Sequence, residues 1–246
     1  MKIFLAGLTS FLGKPLTKEL VSGVYVLESF FYANQKTEQY IPYFKDFLLD
    51  SGAFTFFSSG KKDINWDEYV ERYAKFIVKN NINHFFELDI DKLVGYEKVL
   101  DLREKLETMT GRKCIPVWHK GRGKDEFLKM CDEYKYVAVG GIVSKEITKE
   151  QYDLFKWLIT EAHKRGCKIH GLGFTNLEGV TKYNFDTVDS TSWTTGNRFG
   201  AIYKFNGRTM EKFGKKKGQR IGDYYKALVN NYIEWVKFQQ YADIML

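Results

Sequence analysis

Short apolar runs rich in β-forming residues recur along the 246-residue chain with helical patterns between them, and this alternation restricts the fold more than any other feature. Eight such runs stand out: Ile3–Gly7, Phe47–Gly52, His84–Ile90, Cys114–His119, Tyr136–Ile142, Lys168–Phe174, Phe185–Thr191 and Ala201–Phe205. Between them, Trp66, Tyr69, Tyr73, Phe76 and Ile77 fall on one face of a helix, and Tyr96–Leu106, Asp125–Tyr134 and Lys149–Arg165 repeat the pattern. Alternating strand and helix is the signature of parallel βαβ units. Eight units in this length predict an α/β protein with a compact (β/α)8 TIM barrel, residues 1–246 forming one domain. An open doubly wound sheet is the alternative.

With 44% hydrophobic and 28% charged residues the chain has the means to bury a full core, and no linker, repeat or low-complexity tract divides it. Met1-Lys2 followed by Ile3–Leu12 has the outline of a short signal peptide, but no small-residue cleavage site precedes Lys14-Pro15, so we read a first barrel strand there. No run reaches the ~18 apolar residues of a membrane span, and no membrane partner is expected. Cys114, Cys131 and Cys167 are odd in number and far apart, which argues against a disulfide framework and against a cysteine zinc knuckle; cytoplasm is the expected compartment. His84, His119, His163 and His170 show no ligand spacing, so neither a metal nor another cofactor is expected.

The net charge of +7 is concentrated late in the chain. Arg208, Lys212, Lys215, Lys216, Lys217 and Arg220 share a stretch whose one acid is Glu211, interleaved with Phe213, Gly214 and Gly218. A second basic cluster, Lys120, Arg122 and Lys124, directly follows the strand Cys114–His119, where a barrel places a loop of its C-terminal rim. Either run would suit a solvated loop, but together on a basic protein they predict contacts to a phosphate backbone.

Two apolar runs end in a carboxylate, Phe47-Leu48-Leu49-Asp50 and Phe185-Asp186-Thr187-Val188-Asp189. An acid at the end of a barrel strand is delivered to the catalytic rim, although turns and helix caps use Asp in the same way. Paired acids beside basic loops make a nucleic acid the leading substrate class.

These residues carry a resemblance over about positions 45–195. Leu49-Asp50-Ser51-Gly52-Ala53-Phe54, Glu87-Leu88-Asp89-Ile90-Asp91, Val117-Trp118-His119-Lys120-Gly121, Val139-Gly140-Gly141-Ile142, His170-Gly171-Leu172-Gly173 and the segment ending in Asp189 occur in the order of motifs in the tRNA-guanine transglycosylase superfamily. The chain most resembles its short phage-type members, the DNA guanine transglycosylases. The resemblance implies Asp189 as nucleophile, with Asp186 as the alternative, and Asp50 as general acid and base. It implies a base pocket in which Phe54 and His170 sandwich the base, Asp89 or Asp91 reads its edge, His119 or Trp118 stands at the base-reading Gln position, Gly140 and Gly141 give backbone access, and the segment with Gly171 forms the floor.

The chain departs from that family in lacking its Cys-x-Cys-x-x-Cys zinc segment and in carrying Ser190-Thr191-Ser192-Trp193 where the family has Pro-Thr-Arg. The resemblance therefore implies base exchange without zinc, on DNA in preference to tRNA, with a 7-deazaguanine such as 7-cyano-7-deazaguanine as co-substrate. If the source is a phage, the compartment is the host cytoplasm. A homodimer is an open option, and a tRNA transglycosylase, a glycoside hydrolase, against which it counts that only Trp118 and Trp193 lie at rim positions to serve as sugar platforms, and a non-catalytic nucleic-acid-binding barrel are the competing readings.

Overall fold

The computed structural model describes residues 1–9, 11–52, 55–56, 64–174, 177–196, 200–214 and 222–246. Eight parallel strands form its centre: β1 (Lys2–Ala6), β2 (Tyr25–Ser29), β3 (Asp46–Asp50), β4 (His84–Phe85), β5 (Val117–Trp118), β6 (Tyr136–Val139), β7 (Lys168–Gly171) and β8 (Thr187–Ser190). They neighbour one another in the order β4-β3-β2-β1-β8-β7-β6-β5. The ends of that row meet: the Ile115 N–H donates to the Phe85 carbonyl at 2.8 Å and the Glu87 N–H to the Ile115 carbonyl at 3.0 Å, closing the sheet into a TIM barrel.

The connecting helices are α1 (Lys18–Val21), α2 (Gln35–Tyr40), α3 (Trp66–Lys79), α4 (Asp91–Val94), α5 (Tyr96–Thr110), α6 (Gly123–Glu133), α7 (Asp153–Lys164), α8 (Leu177–Lys182) and α9 (Tyr224–Met245). Strand alternation divides the apolar residues into two clusters. Phe4, Ala6, Tyr25, Leu27, Leu48, Phe86, Val117 and Ala138 fill the barrel interior. Their neighbours in sequence, such as Leu5, Val26, Leu49 and Val137, face the helices in a larger outer core. The long helix α9 seals the first two strands, because the buried Gln239 donates to the carbonyls of Ile3 at 2.6 Å and Tyr25 at 3.0 Å.

Two of the sequence expectations change. Tyr25–Ser29 is a barrel strand, and it is absent from the eight apolar runs singled out in the sequence. Ala201–Phe205 is not one: Ile202–Phe205 (β9) pairs antiparallel with Met210–Phe213 (β10) in a separate two-stranded sheet packed on α9, where the Tyr203 N–H donates to Asn231 Oδ1 at 2.7 Å. The three cysteines are buried and unbridged, and among the described residues no helix is long and apolar enough to cross a membrane.

Candidate active site

The C-terminal ends of the strands surround a pocket of about 640 Å³, large enough for a nucleobase with its sugar. Asp50, Asp89, Asp91, His119, Gly140, Gly141 and Asp189 all line it. Period-two alternation explains most of this convergence: Leu48 and Thr187 point inward, so Asp50 and Asp189, two residues further on, point inward at the rim.

Asp50 is held by its surroundings from both sides of β3. The Tyr73 hydroxyl donates to the carbonyls of Leu49 and Phe86, at 2.9 and 3.0 Å, and the Tyr69 hydroxyl to that of Ser51 at 2.6 Å. The chain then turns at Gly52 with φ +85°, which aims the Gly52 N–H at Asp50 Oδ2 at 2.9 Å. A Cβ there would lie 2.7 Å from that of Phe31, so only glycine fits the turn. Burial pushes the Asp50 pKa up to about 6; the Gly52 N–H opposes the rise, and the charges of Asp189 and Asp89 add to it.

Asp189 is nearly buried, and its Oδ1 faces the Gly173 N–H at 2.6 Å and His170 Nε2 at 3.2 Å. Among the described residues no hydrogen bond takes Oδ2, which leaves that oxygen to the pocket. Asp186 lies at the other end of the barrel, just before β8, where it accepts the Ile169 N–H at 2.8 Å and faces His163 at 3.0 Å. It is therefore not the nucleophile of this pocket.

The wall formed by β4, β5 and β6 is a network of charges. His119 Nε2 faces Asp89 Oδ1 at 2.7 Å and its Nδ1 faces Glu146 Oε2 at 3.1 Å. Burial disfavours the imidazolium, but the Asp89 hydrogen bond and the charges of Asp89 and Asp91 outweigh it and raise the pKa to about 9. Asp91 is turned to Arg122, at 3.3 and 3.2 Å. Buried Glu87 accepts from Arg103 at 2.6 Å, from the Val117 N–H at 2.8 Å and from Arg122 at 3.2 Å. Asp89, Asp91 and His119 offer ligand atoms within 4.8 Å of one another, the spacing of a metal site. In this structure His119 is paired with Asp89 and Glu146, and Asp91 with Arg122.

Several expected roles change with the geometry. His170 does not sandwich a base: it is fully buried beneath the pocket floor, against the rings of Phe4, Phe86 and Tyr136. Gly171 does not line the pocket either; a Cβ on it would meet Phe174 and Phe185 in the outer core. Arg122 is no phosphate contact, because its side chain is 4% exposed and its guanidinium lies 4.2 Å from the centre of the Tyr96 ring. Lys120 is exposed just after β5, and Lys124 is exposed in the first turn of α6, over Trp157. Arg208 and Lys212 are exposed on the outer hairpin. Phe54, Lys215, Lys216, Lys217 and Arg220 lie outside the described residues.

The sequence reading missed Glu28, Ser29 and Tyr32, which also line the pocket and follow from the overlooked β2. Glu28 Oε1 accepts the Thr9 N–H at 2.5 Å, and among the described residues it has no ion pair. Burial pushes its pKa up to about 7 against the opposing donors of Thr9 and Leu8. The run Val24-Tyr25-Val26-Leu27 was the signal that could have found them.

No family model matches the chain, and no curated protein matches it in sequence. Among solved structures it is similar to a candidate fructose-1,6-biphosphate aldolase from Coccidioides immitis, with a TM-score of 0.55 and 11% identity over 98% of this chain and 90% of that one. It also matches the carboxyl transferase domain of Rhizobium etli pyruvate carboxylase with a TM-score of 0.47 and 11% identity, over 98% of this chain and 48% of that one. At such identity the likeness to the aldolase structure concerns the fold, and the chain is a TIM barrel.

Proposed function

We propose that the protein exchanges guanine in a nucleic acid, DNA in preference to tRNA, for a 7-deazaguanine base through a covalent aspartyl-sugar intermediate. The observation that carries this reading is the pairing of Asp50 and Asp189 in one pocket under different surroundings. Burial raises Asp50 to about 6, within reach of proton exchange near neutrality, while hydrogen-bond donors hold one oxygen of Asp189 and leave the other to the pocket. Two carboxylates in unlike environments are what an acid/base and a nucleophile require.

In the first half-reaction Asp189 Oδ2 attacks C1′, the C1′–N9 bond breaks with its electron pair going to guanine, and protonated Asp50 gives the departing base a proton. In the second, the incoming base gives its N9 proton to Asp50, N9 attacks C1′, and the ester breaks to restore the Asp189 carboxylate. Asp89 is the better reader of the base edge than Asp91, whose carboxylate faces Arg122. Exposed Lys120 and Lys124 would meet the phosphates, and the target nucleotide would leave the base stack.

Incubating the protein with radiolabelled guanine and either a DNA duplex or tRNA tests the reading, with 7-cyano-7-deazaguanine as chase. Label entering DNA and displaced by the deazaguanine is the expected result. Label entering tRNA alone would transfer the same chemistry to the other polymer, and no label in either would refute the exchange.

A further inference from the structure

A chain of buried hydrogen bonds runs through the barrel interior to Asp189. The Tyr136 hydroxyl meets Thr187 Oγ1 at 2.5 Å, Thr187 Oγ1 meets His170 Nδ1 at 2.6 Å, and His170 Nε2 meets Asp189 Oδ1 at 3.2 Å. His170 is fully buried, and Thr187 nearly so. A core histidine inside a ring of Phe4, Phe86 and Tyr136 costs desolvation that an apolar residue would avoid, so its two polar contacts need an account.

With a neutral imidazole the protons along this chain can be ordered in two ways. If Thr187 donated to Tyr136, His170 would have to donate from Nδ1 to Thr187, and its bare Nε2 would face a carboxylate oxygen, lone pair against lone pair. If Tyr136 donates to Thr187 and Thr187 to Nδ1, the His170 proton sits on Nε2 and is given to Asp189. The second order satisfies every group.

We propose that His170 is a positioning residue for the Asp189 carboxylate, and that the Tyr136–Thr187 hydroxyl pair sets the Nε2–H tautomer with which it does so. This rests on Asp189 being the attacking group. Together with the Gly173 N–H, His170 fixes Oδ1 and orients Oδ2. Among the described residues, the other groups that interact with Asp189 include Asp50 from β3 and Tyr136 from β6, while β1 presents Phe4 and Ala6, which carry no charge.

Three variants test this: His170→Leu removes the donor, Thr187→Val removes the group that sets the tautomer while keeping the volume, and Tyr136→Phe leaves Thr187 still able to donate to Nδ1. Loss of a hydrogen bond to a charged group should slow formation of the Asp189–sugar adduct by roughly tenfold to a hundredfold in His170→Leu, less in Thr187→Val and hardly at all in Tyr136→Phe. Affinity for free guanine should stay within about twofold in all three, because His170 lies below the pocket floor. ¹⁵N NMR of the substrate-free protein should show His170 as the Nε2–H tautomer in wild type and a mixture in Thr187→Val, a readout that does not depend on exchange activity. Adduct formation at the wild-type rate in both folded His170→Leu and Thr187→Val, or a wild-type His170 protonated at Nδ1, would overturn the proposal. Absence of exchange in wild type with the expected tautomer would instead count against the base-exchange reading.

Discussion

Gly140 stands so close to His119 that a Cβ on it would come within 2.7 Å of Cε1 and 2.8 Å of Nε2. The missing side chain of β6 is thus what lets the imidazole lie between Asp89 and Glu146. Gly140→Ala should push the ring off Asp89 and lower affinity for free guanine about tenfold or more, since overpacking of this kind costs about 1–3 kcal/mol. Calorimetric titration with guanine reads the change, and an unaltered affinity would separate His119 from the base site.

The two half-reactions should respond to pH in opposite directions. Departure of guanine needs Asp50 protonated, so adduct formation should fall as pH rises through about 6; uptake of the incoming base needs Asp50 ionised and should fall as pH drops through the same value. Single-turnover measurements of each step from pH 5 to 8 check this, and Asp50→Asn should flatten both limbs while slowing turnover.

Glu28 makes a prediction about stability. Its folded pKa of about 7 exceeds the ordinary 4.5, so the folded state binds the proton more tightly than the unfolded chain and loses stability as pH rises from about 4.5 to 7. Glu28→Gln keeps an acceptor for the Thr9 N–H without a charge. It should therefore raise stability at pH 8 by up to roughly 3 kcal/mol and leave it nearly unchanged at pH 4. Urea melts at the two pH values measure the difference.

Arg122 and its neighbours Lys120 and Lys124 should behave as different kinds of residue. Arg122→Ala takes the guanidinium from Asp91 and one of the two from Glu87, which keeps Arg103, and should cost up to about 3–5 kcal/mol of stability. Lys120→Ala with Lys124→Ala should leave stability intact and flatten the plot of log DNA affinity against log salt by about 0.9 for each duplex phosphate that the two lysines neutralise in the wild type. Replacing Lys215, Lys216 and Lys217 together should flatten it by roughly two to three.

The strand-and-helix alternation was legible because a parallel barrel strand is apolar throughout and ends abruptly, and the same pattern exposed Asp50 and Asp189 at run ends. It failed at Ala201–Phe205, whose alternation is equally strand-like; the Asn206-Gly207 pair that follows was the cue for a hairpin outside the barrel. Burial of Arg122 was not legible, since Lys120-Gly121-Arg122 has the same composition in water or in a salt-bridge network, and its partners Asp91 and Glu87 lie 31 and 35 residues away. Alternation likewise points His170 inward without giving its depth, which depends on how far β7 rises beside β8.

Acid-quenched incubation of the protein with a guanine-containing DNA oligonucleotide, followed by peptide mass spectrometry, tests most directly whether Asp189 bonds to C1′. The expected result is a sugar ester on the peptide carrying Asp189, released by added 7-deazaguanine and absent in Asp189→Ala. Exchange at the wild-type rate in Asp189→Ala, or an ester mapped to another residue, would contradict the assignment of Asp189 as nucleophile.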